Sequence, residues 1–178
     1  MLHHIETQWQ TMDSPELRLR NALNKIIHAY DYIIIDCPPE SDCLLKNAFN
    51  VTDYYVLPVL PDANSFQELA PTISQIKDLT TVEKQGNILG CVINESRKQK
   101  ITIDNQKLDM KELYNEIINV FNVVVPMSIH IDNSFANNMP IPFYHRNVKN
   151  CDKVFSAFRN LTKEILEKIN AKENSVYA

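Results

Sequence analysis

An aspartate, Asp36, ends an apolar, β-branched run that begins at Tyr32 and precedes Cys37 and two prolines. A hard cation that bridges phosphates prefers carboxylate oxygen, and a parallel sheet places such a group in the crevice at the carboxyl ends of its strands. Asp36 is therefore a candidate magnesium-linked residue. An ordinary loop acid at a strand end gives the same pattern, so the run alone leaves both interpretations open.

The chain contains only two glycines, Gly86 and Gly90, in 178 residues. A phosphate-cradling loop needs glycines so that several backbone N–H groups can converge on one anion. Here the glycines bound the segment GNILG, which continues as CVIN rather than as a lysine and a hydroxyl residue. These 178 residues therefore include no self-contained phosphate-binding loop.

The composition is that of an ordinary folded domain, with 44% hydrophobic and 22% charged residues. No apolar run approaches the roughly 18 residues that span a bilayer, and the first residues lack the basic flank and apolar stretch of a signal peptide. The four cysteines form no CxxC pair, and we expect free thiols and no metal cluster. A cytoplasmic protein without membrane contact is the expectation.

The net charge of −4 argues against a surface that binds polyanions as a whole. Two local groups of basic residues could still contact DNA phosphates, although they could equally be solvated surface charges. These groups are Arg97, Lys98 and Lys100, and Arg146, Lys149 and Lys153.

Hydrophobic periodicity predicts alternating strands and helices. The predicted strands are residues 32–36, 54–60, 87–94 and 122–126, and the predicted helices are 14–30, 44–50, 65–79, 109–121 and 154–169. Ser14 is expected to cap the first helix, and Ser65 with Glu68 to form a capping box. Pro71 predicts a kink, or a helix that begins there.

Strands that alternate with helices indicate an α/β fold in which helices cover both faces of a parallel sheet. The strands read as continuous apolar runs, which is typical of a sheet buried on both sides. We expect one domain over residues 14–170, a leader at 1–13 and a frayed tail at 171–178.

The string from residue 30 to 69, YDYIIIDCPPESDCLLKNAFNVTDYYVLPVLPDANSFQEL, resembles the Walker B and switch II region of ParA-type partition ATPases in the MinD/ParA superfamily. ILGCVIN and VVVPMSIHIDNSFANNMPI resemble later segments of the same family, in the same order. Departures occur at Met127, where the family commonly has arginine, and at Asn138, where it has glycine. The resemblance covers roughly residues 14–169 and implies a P-loop-NTPase-like fold.

The resemblance also implies roles for particular residues. Asp36 would hold magnesium through water, and Cys37, Pro38, Pro39 and Glu40 would form switch II. Asn94, Pro126, Met127 and Ser128 would lie at the edge that binds the nucleotide base. Asn94 could instead be a turn residue that ends its strand.

The family's Walker A loop lies well upstream of its Walker B strand, whereas only 35 residues precede Asp36 here. One interpretation is a fragment, from a disrupted gene, an internal start or deliberate shortening. The other is a pseudo-ATPase completed by dimer swapping or by another chain. The prediction is an α/β chain that is truncated at its N-terminus and does not hydrolyse ATP alone.

The function that the resemblance implies is the C-terminal part of a plasmid or chromosome partition ATPase. The complete family protein uses Mg-ATP, and this chain is expected to bind none. The implied partners are non-specific DNA, a ParB-like centromere-binding protein and a second copy in a homodimer. The alternatives are a non-enzymatic interaction module and a MinD-like cell-division regulator, which the non-basic ending AKENSVYA disfavours.

Overall fold

The computed structural model describes residues 14–37, 42–79, 87–96 and 118–176. The chain divides into two compact units. The first consists of Met1–Asp53 and Thr72–Asn87, and the second of Tyr54–Pro71 and Ile88–Ala178. The predicted extent of a single domain over residues 14–170 stays a prediction.

The first unit begins with a series of short turns in place of the predicted continuous helix over residues 14–30. A 3-10 turn at Pro15–Leu17 leads into helix α1, Arg18–Leu23, and a second 3-10 turn follows at Ile27–Ala29. The predicted cap at Ser14 is wrong, because its backbone is left-handed (φ 52°) and its side chain makes no capping hydrogen bond. Its carbonyl accepts from the Leu17 N–H instead.

Helix α2, Asp42–Val51, contains the helix predicted over residues 44–50. Its central polar residue, Asn47, is 1% exposed. The Asn47 amide nitrogen donates to the carbonyl of Pro15 at 2.7 Å, and the amide oxygen accepts from the Leu19 N–H at 2.9 Å. The nitrogen also donates to the Cys43 carbonyl at 2.9 Å. One buried amide therefore joins the N-terminal turns to α2.

Residues 32–36 do not form the predicted strand. They carry no strand assignment, and no part of the chain that the structure describes pairs with them. The side chain of Ile34 is 93% exposed and that of Tyr32 is 60% exposed. An apolar, β-branched run favours a strand only where a neighbour can accept its backbone hydrogen bonds.

The second unit contains a parallel sheet. Strands β1 (Tyr55–Val59), β2 (Ile88–Ser96) and β3 (Val120–Pro126) lie in the order β1-β2-β3. The predicted α/β class with a parallel sheet is confirmed, as are three of the four predicted strands. β3 begins at Val120, so the end of the helix predicted over residues 109–121 is wrong. Residues 109–117 of that helix lie outside the described residues.

Pro58 lies inside β1 and is exposed. A proline has no N–H to donate, so within sheets it is confined to edge strands, bulges and strand starts. In the described sheet β1 is indeed an edge, since it pairs with β2 alone. The position of the proline thus agrees with the strand order.

Helices α3 (Ala63–Gln67) and α4 (Leu69–Leu79) follow β1, with a break at Glu68. The predicted capping box is wrong, because Asp62 caps α3. The Asp62 carboxylate accepts from the Ser65 N–H at 2.9 Å and from its hydroxyl at 3.1 Å, and the N–H bond contributes most to lowering the Asp62 pKa. Pro71 falls in the first turn of α4, as the prediction of a helix start there required.

The remaining elements described in the second unit are helices and a 3-10 turn. They comprise α5 (Ile129–Ala136), α6 (Ile141–Tyr144), a 3-10 turn at His145–Asn147 and α7 (Asp152–Val176). Ile169 of α7 packs with Leu89, Val92, Phe121 and Val125 of the sheet in a hydrophobic core cluster. α7 includes the predicted helix over residues 154–169. It also continues to Val176, so the predicted frayed tail is helical over residues 171–176.

Asn138 occupies the position where the family has glycine. Its backbone is left-handed (φ 49°), which asparagine tolerates better than most residues. Its N–H donates to the Phe135 carbonyl at 2.9 Å, and the Met139 N–H donates to the Ser134 carbonyl at 2.9 Å. This pair of bonds is the Schellman motif that ends many helices. Asn138 therefore serves the end of α5 in the way that glycine would.

Two features mark the pairing of β2 with β3, a close backbone approach at Gly90 and a shift of register. Gly90 has φ +145°, and a Cβ there would lie 2.4 Å from the carbonyl oxygen of Asn119. The register between the two strands then shifts twice, between Cys91 and Ile93 and between Ile93 and Ser96. Near this irregularity the Glu164 carboxylate of α7 accepts from the backbone N–H groups of Asn122 at 2.8 Å and Val123 at 3.1 Å.

Candidate functional site

The carboxyl edge of the sheet carries the residues expected at the nucleotide base. Ser96 pairs with Pro126 in the register between β2 and β3, so both strands end together. Asn94 is half-buried two residues before the end of β2. The alternative that Asn94 is a strand-ending turn residue is therefore wrong. Met127, directly after Pro126, is 44% exposed.

Ser128 begins α5 at this same edge. Its hydroxyl oxygen accepts from the His130 N–H at 3.3 Å, and its backbone is extended. The ring of His130 lies 6.2 Å from that of Tyr144, and its Nδ1 is buried without a hydrogen-bond partner among the residues described. The edge therefore carries the amide of Asn94 and the capping hydroxyl of Ser128, two groups of a kind that can form hydrogen bonds to a planar heterocycle.

One residue at this edge, Asp62, was not singled out in the sequence. Asp62 lies shortly after β1, Asn94 lies near the end of β2, and Ser128 lies shortly after β3. All three residues therefore lie toward the carboxyl ends of parallel strands. The signal for Asp62 was present, because aspartate is a preferred capping residue just after a strand. His130 ends the loop from Pro126 that the resemblance places at the base-binding edge.

In the first unit, Asp36 and Cys37 are both exposed. Although the residue is exposed, neighbouring atoms remove some water from the Cys37 thiol, and this desolvation, followed by the charge of Asp36, raises its pKa. Pro38, Pro39 and Glu40 of the predicted switch lie outside the described residues. No group of three potential metal ligands occurs within the described ranges. A single carboxylate such as that of Asp36 would hold Mg²⁺ only together with substrate phosphates as the main ligands.

Only one of the two basic groups lies in the described part of the chain. Arg97, Lys98 and Lys100 lie outside the described residues. Arg146, Lys149 and Lys153 are all exposed, and they follow one another through the turn that leads into α7.

One acid, Asp152, lies among these cations. Its carboxylate is bonded to His145 Nε2 at 2.8 Å, and that bond contributes most to lowering the pKa of Asp152. The guanidinium of Arg146 lies 5.4 Å from the centre of the Phe143 ring. The described group therefore combines three exposed cations with an acid that already has a partner.

None of the described helices is long and apolar enough to cross a bilayer.

Comparison with known proteins gives relatives for most of the chain. A family model described as an AAA domain matches residues 1–88. The chain is 28% identical over 167 residues to the chromosome partitioning protein ParA of Myxococcus xanthus (strain DK1622), covering 89% of this chain and 56% of that protein. It is 25% identical over 156 residues to the sporulation initiation inhibitor protein Soj of Bacillus subtilis (strain 168), covering 85% and 58%.

A third relative is the chromosome-partitioning ATPase Soj of Treponema pallidum (strain Nichols), 23% identical over 133 residues, which are 72% of this chain and 51% of that protein. The chain thus spans a little over half the length of each of these relatives. The ordered motifs, the parallel sheet, the family match and the named relatives agree. The chain is similar over most of its length to the partition proteins ParA and Soj.

Proposed function

We propose that this chain forms part of a cytoplasmic ParA-like partition ATPase, a nucleotide-dependent switch that acts in the segregation of plasmid or chromosomal DNA. The observation that carries the proposal is the order of its elements. The segments that resemble the family follow one another along the chain, and three of them form adjacent parallel strands. The names of the relatives support the same function.

Within this function we assign two groups of residues. Asp36 would contact Mg²⁺ through water, and Cys37, Pro38, Pro39 and Glu40 would move as the terminal phosphate is gained and lost. Asn94 and residues 126–128 would bind the base of the nucleotide. Their place at the carboxyl edge of the sheet supports this, because open α/β sheets bind ligands outside that edge.

The chain by itself is proposed to be inactive as an ATPase. Phosphoryl transfer depends on positioning and on cations that neutralise the phosphate oxygens. The 178 residues contain no glycine loop whose N–H groups could converge on a phosphate, and no lysine in such a loop. Asp36 alone would hold Mg²⁺ weakly, since the ion usually depends on substrate phosphates as well.

We therefore expect ATP turnover by the purified chain to stay at the background rate, with or without DNA. The measurement is phosphate release, together with binding of a fluorescent ATP analogue in the presence of Mg²⁺. Asp36→Ala should change neither signal, and Asp31→Ala, at another exposed acid of the same segment, is the matched control. Turnover that is lost in Asp36→Ala and kept in Asp31→Ala would refute the inactivity.

The proposed partners are non-specific DNA, a ParB-like protein and a second copy of the chain. For DNA, reversing Arg146, Lys149 and Lys153 to glutamate should weaken the binding of two unrelated duplexes equally, by about tenfold or more. The slope of log K against log salt should fall by about 2–3. The measurement is fluorescence anisotropy at several salt concentrations.

The control for this experiment is a triple reversal of Lys25, Lys77 and Lys163, which changes the net charge by the same amount at other positions. Equal losses in the two triple variants would show that only net charge matters. In that case Arg146, Lys149 and Lys153 would be ordinary solvated charges.

A second candidate is a non-enzymatic interaction module, favoured by the lack of a phosphate-binding loop in these 178 residues. A module of this kind would keep the fold to bind a protein partner and would have no use for a nucleotide. Detectable binding of the ATP analogue would exclude the module and would also contradict the expectation that this chain binds no nucleotide. Nucleotide-dependent dimer formation would support the switch and exclude the module.

A further inference from the structure

Helices α6 and α7 of the second unit border an open cleft with a volume of about 270 Å³. It is lined by Pro142, Phe155, Phe158, Arg159 and Thr162. Small-molecule sites commonly have volumes of roughly 300–1,000 Å³, so this cleft lies below that range. Its walls are mostly apolar, and its size suits one large apolar side chain.

The aromatic wall of the cleft is held in place by its neighbours. The ring of His145 stacks on that of Phe155 at 4.3 Å between centroids and 14° between planes. The same imidazole is bonded to Asp152 at 2.8 Å. Phe158 also packs against both core clusters of the unit. An apolar group that enters the cleft therefore meets preformed walls, which lowers the ordering cost of binding.

Two arginines lie at the cleft or next to it. Arg159 is exposed, and its guanidinium forms no ion pair among the described residues. Phe143, next to Pro142 in α6, is 55% exposed and carries the Arg146 guanidinium over its ring at 5.4 Å. Exposed aromatic residues together with arginine are the composition of protein-binding hot spots.

We propose that this cleft binds an acidic peptide segment of a protein partner. One large apolar side chain of the peptide fills the space between Phe155 and Phe158, and neighbouring carboxylates pair with Arg159. A nucleic acid fits less well, because phosphates would bind the rim cations and leave the apolar cleft empty. The proposal does not depend on the nucleotide site.

The test uses the fluorescein-labelled peptide SEDEFEDES and measures anisotropy with the whole chain. Binding should be saturable, and Arg159→Glu and Thr162→Trp should each weaken it by about tenfold or more, the scale of a hot-spot loss. Thr162→Trp fills the cleft from an exposed position of α7. The peptide SEDESEDES, which keeps the charge but lacks the anchor, should bind at least about fivefold more weakly.

The matched controls are Lys163→Glu and Asn170→Trp, a charge reversal and an added tryptophan at other exposed positions of the same helix. Both should leave the affinity within about twofold. Equal binding of the two peptides, or no saturable binding of SEDEFEDES, would overturn the proposal. It would also be overturned if Thr162→Trp abolished binding of a DNA duplex, since the cleft would then be a nucleic-acid site.

Discussion

Replacing Gly90 with alanine should lower the free energy of unfolding of the second unit by about 3–5 kcal/mol, most of the stability of a marginal domain. Two effects add. The backbone at φ +145° is one that side chains rarely adopt, and the new Cβ would lie 2.4 Å from the Asn119 carbonyl oxygen. That atom belongs to the backbone, and it accepts the Cys91 N–H at 2.8 Å, so it cannot move without breaking a bond between the strands.

Urea unfolding followed by circular dichroism measures this loss. Ile88→Val, in the same strand, is the control, because it shortens a half-buried side chain without creating a new contact. It should cost about 0.5–1.5 kcal/mol. If Gly90→Ala unfolds at the same urea concentration as Ile88→Val, the close approach of the two backbones is not present in solution.

Asn47→Ala should detach the N-terminal turns from α2 and destabilise the first unit by about 2–4 kcal/mol, since each buried polar group left without a partner costs about 1–3 kcal/mol. The substitution removes the acceptor of the Leu19 N–H and the donor to the Pro15 carbonyl. Both groups come from a segment whose helix α1 has no buried residue of its own. Little apolar packing would compensate for the lost bonds.

Limited trypsin digestion measures this opening directly, because Arg18 and Arg20 lie in the segment that should detach. Cleavage there should become about 30-fold or more faster, as expected when local opening is favoured by at least about 2 kcal/mol. Asn50→Ala is the control. The Asn50 side chain donates to the Glu16 carbonyl at 3.2 Å, and its loss should accelerate cleavage by less. Equal acceleration in both variants would contradict the role of Asn47.

The apolar pattern predicted the sheet well, because each of the three strands is short, continuous and bounded by residues that end it. The same pattern was wrong for residues 32–36. Hydrophobic content reflects the tendency of a segment to be buried and paired. It does not indicate whether a partner strand lies next to that segment. Ile34 meets every sequence criterion for a strand residue and is 93% exposed.

Helix starts were predicted less well than helices. Asp62 and Ser65 are both good capping residues three positions apart, and sequence alone does not choose between them. Ser14 has the right residue type, but its left-handed backbone keeps the hydroxyl from the helix N–H groups. Caps depend on single dihedral angles, whereas the body of a helix depends on many residues that agree.

For the candidate site, the resemblance predicted residues 94 and 126–128, and parallel strand ends explain why they fall at one edge.

The resemblance also pointed to Asn47, but only as part of a matching string. Its buried hydrogen bonds join segments about 30 positions apart in the sequence, a relation that no local pattern contains. The cleft beside Arg159 was missed for the same reason, since α6 and α7 form it together.

The carboxylate of Glu164 has a consequence for the solution behaviour of the chain. Unpaired N–H groups on a strand invite a strand from another molecule, which is how sheets grow into aggregates. The N–H groups of Asn122 and Val123 already donate to Glu164, so an incoming strand would first have to displace a charged acceptor. A helix side chain thereby occupies the two N–H groups that strand addition at this point of β3 would need.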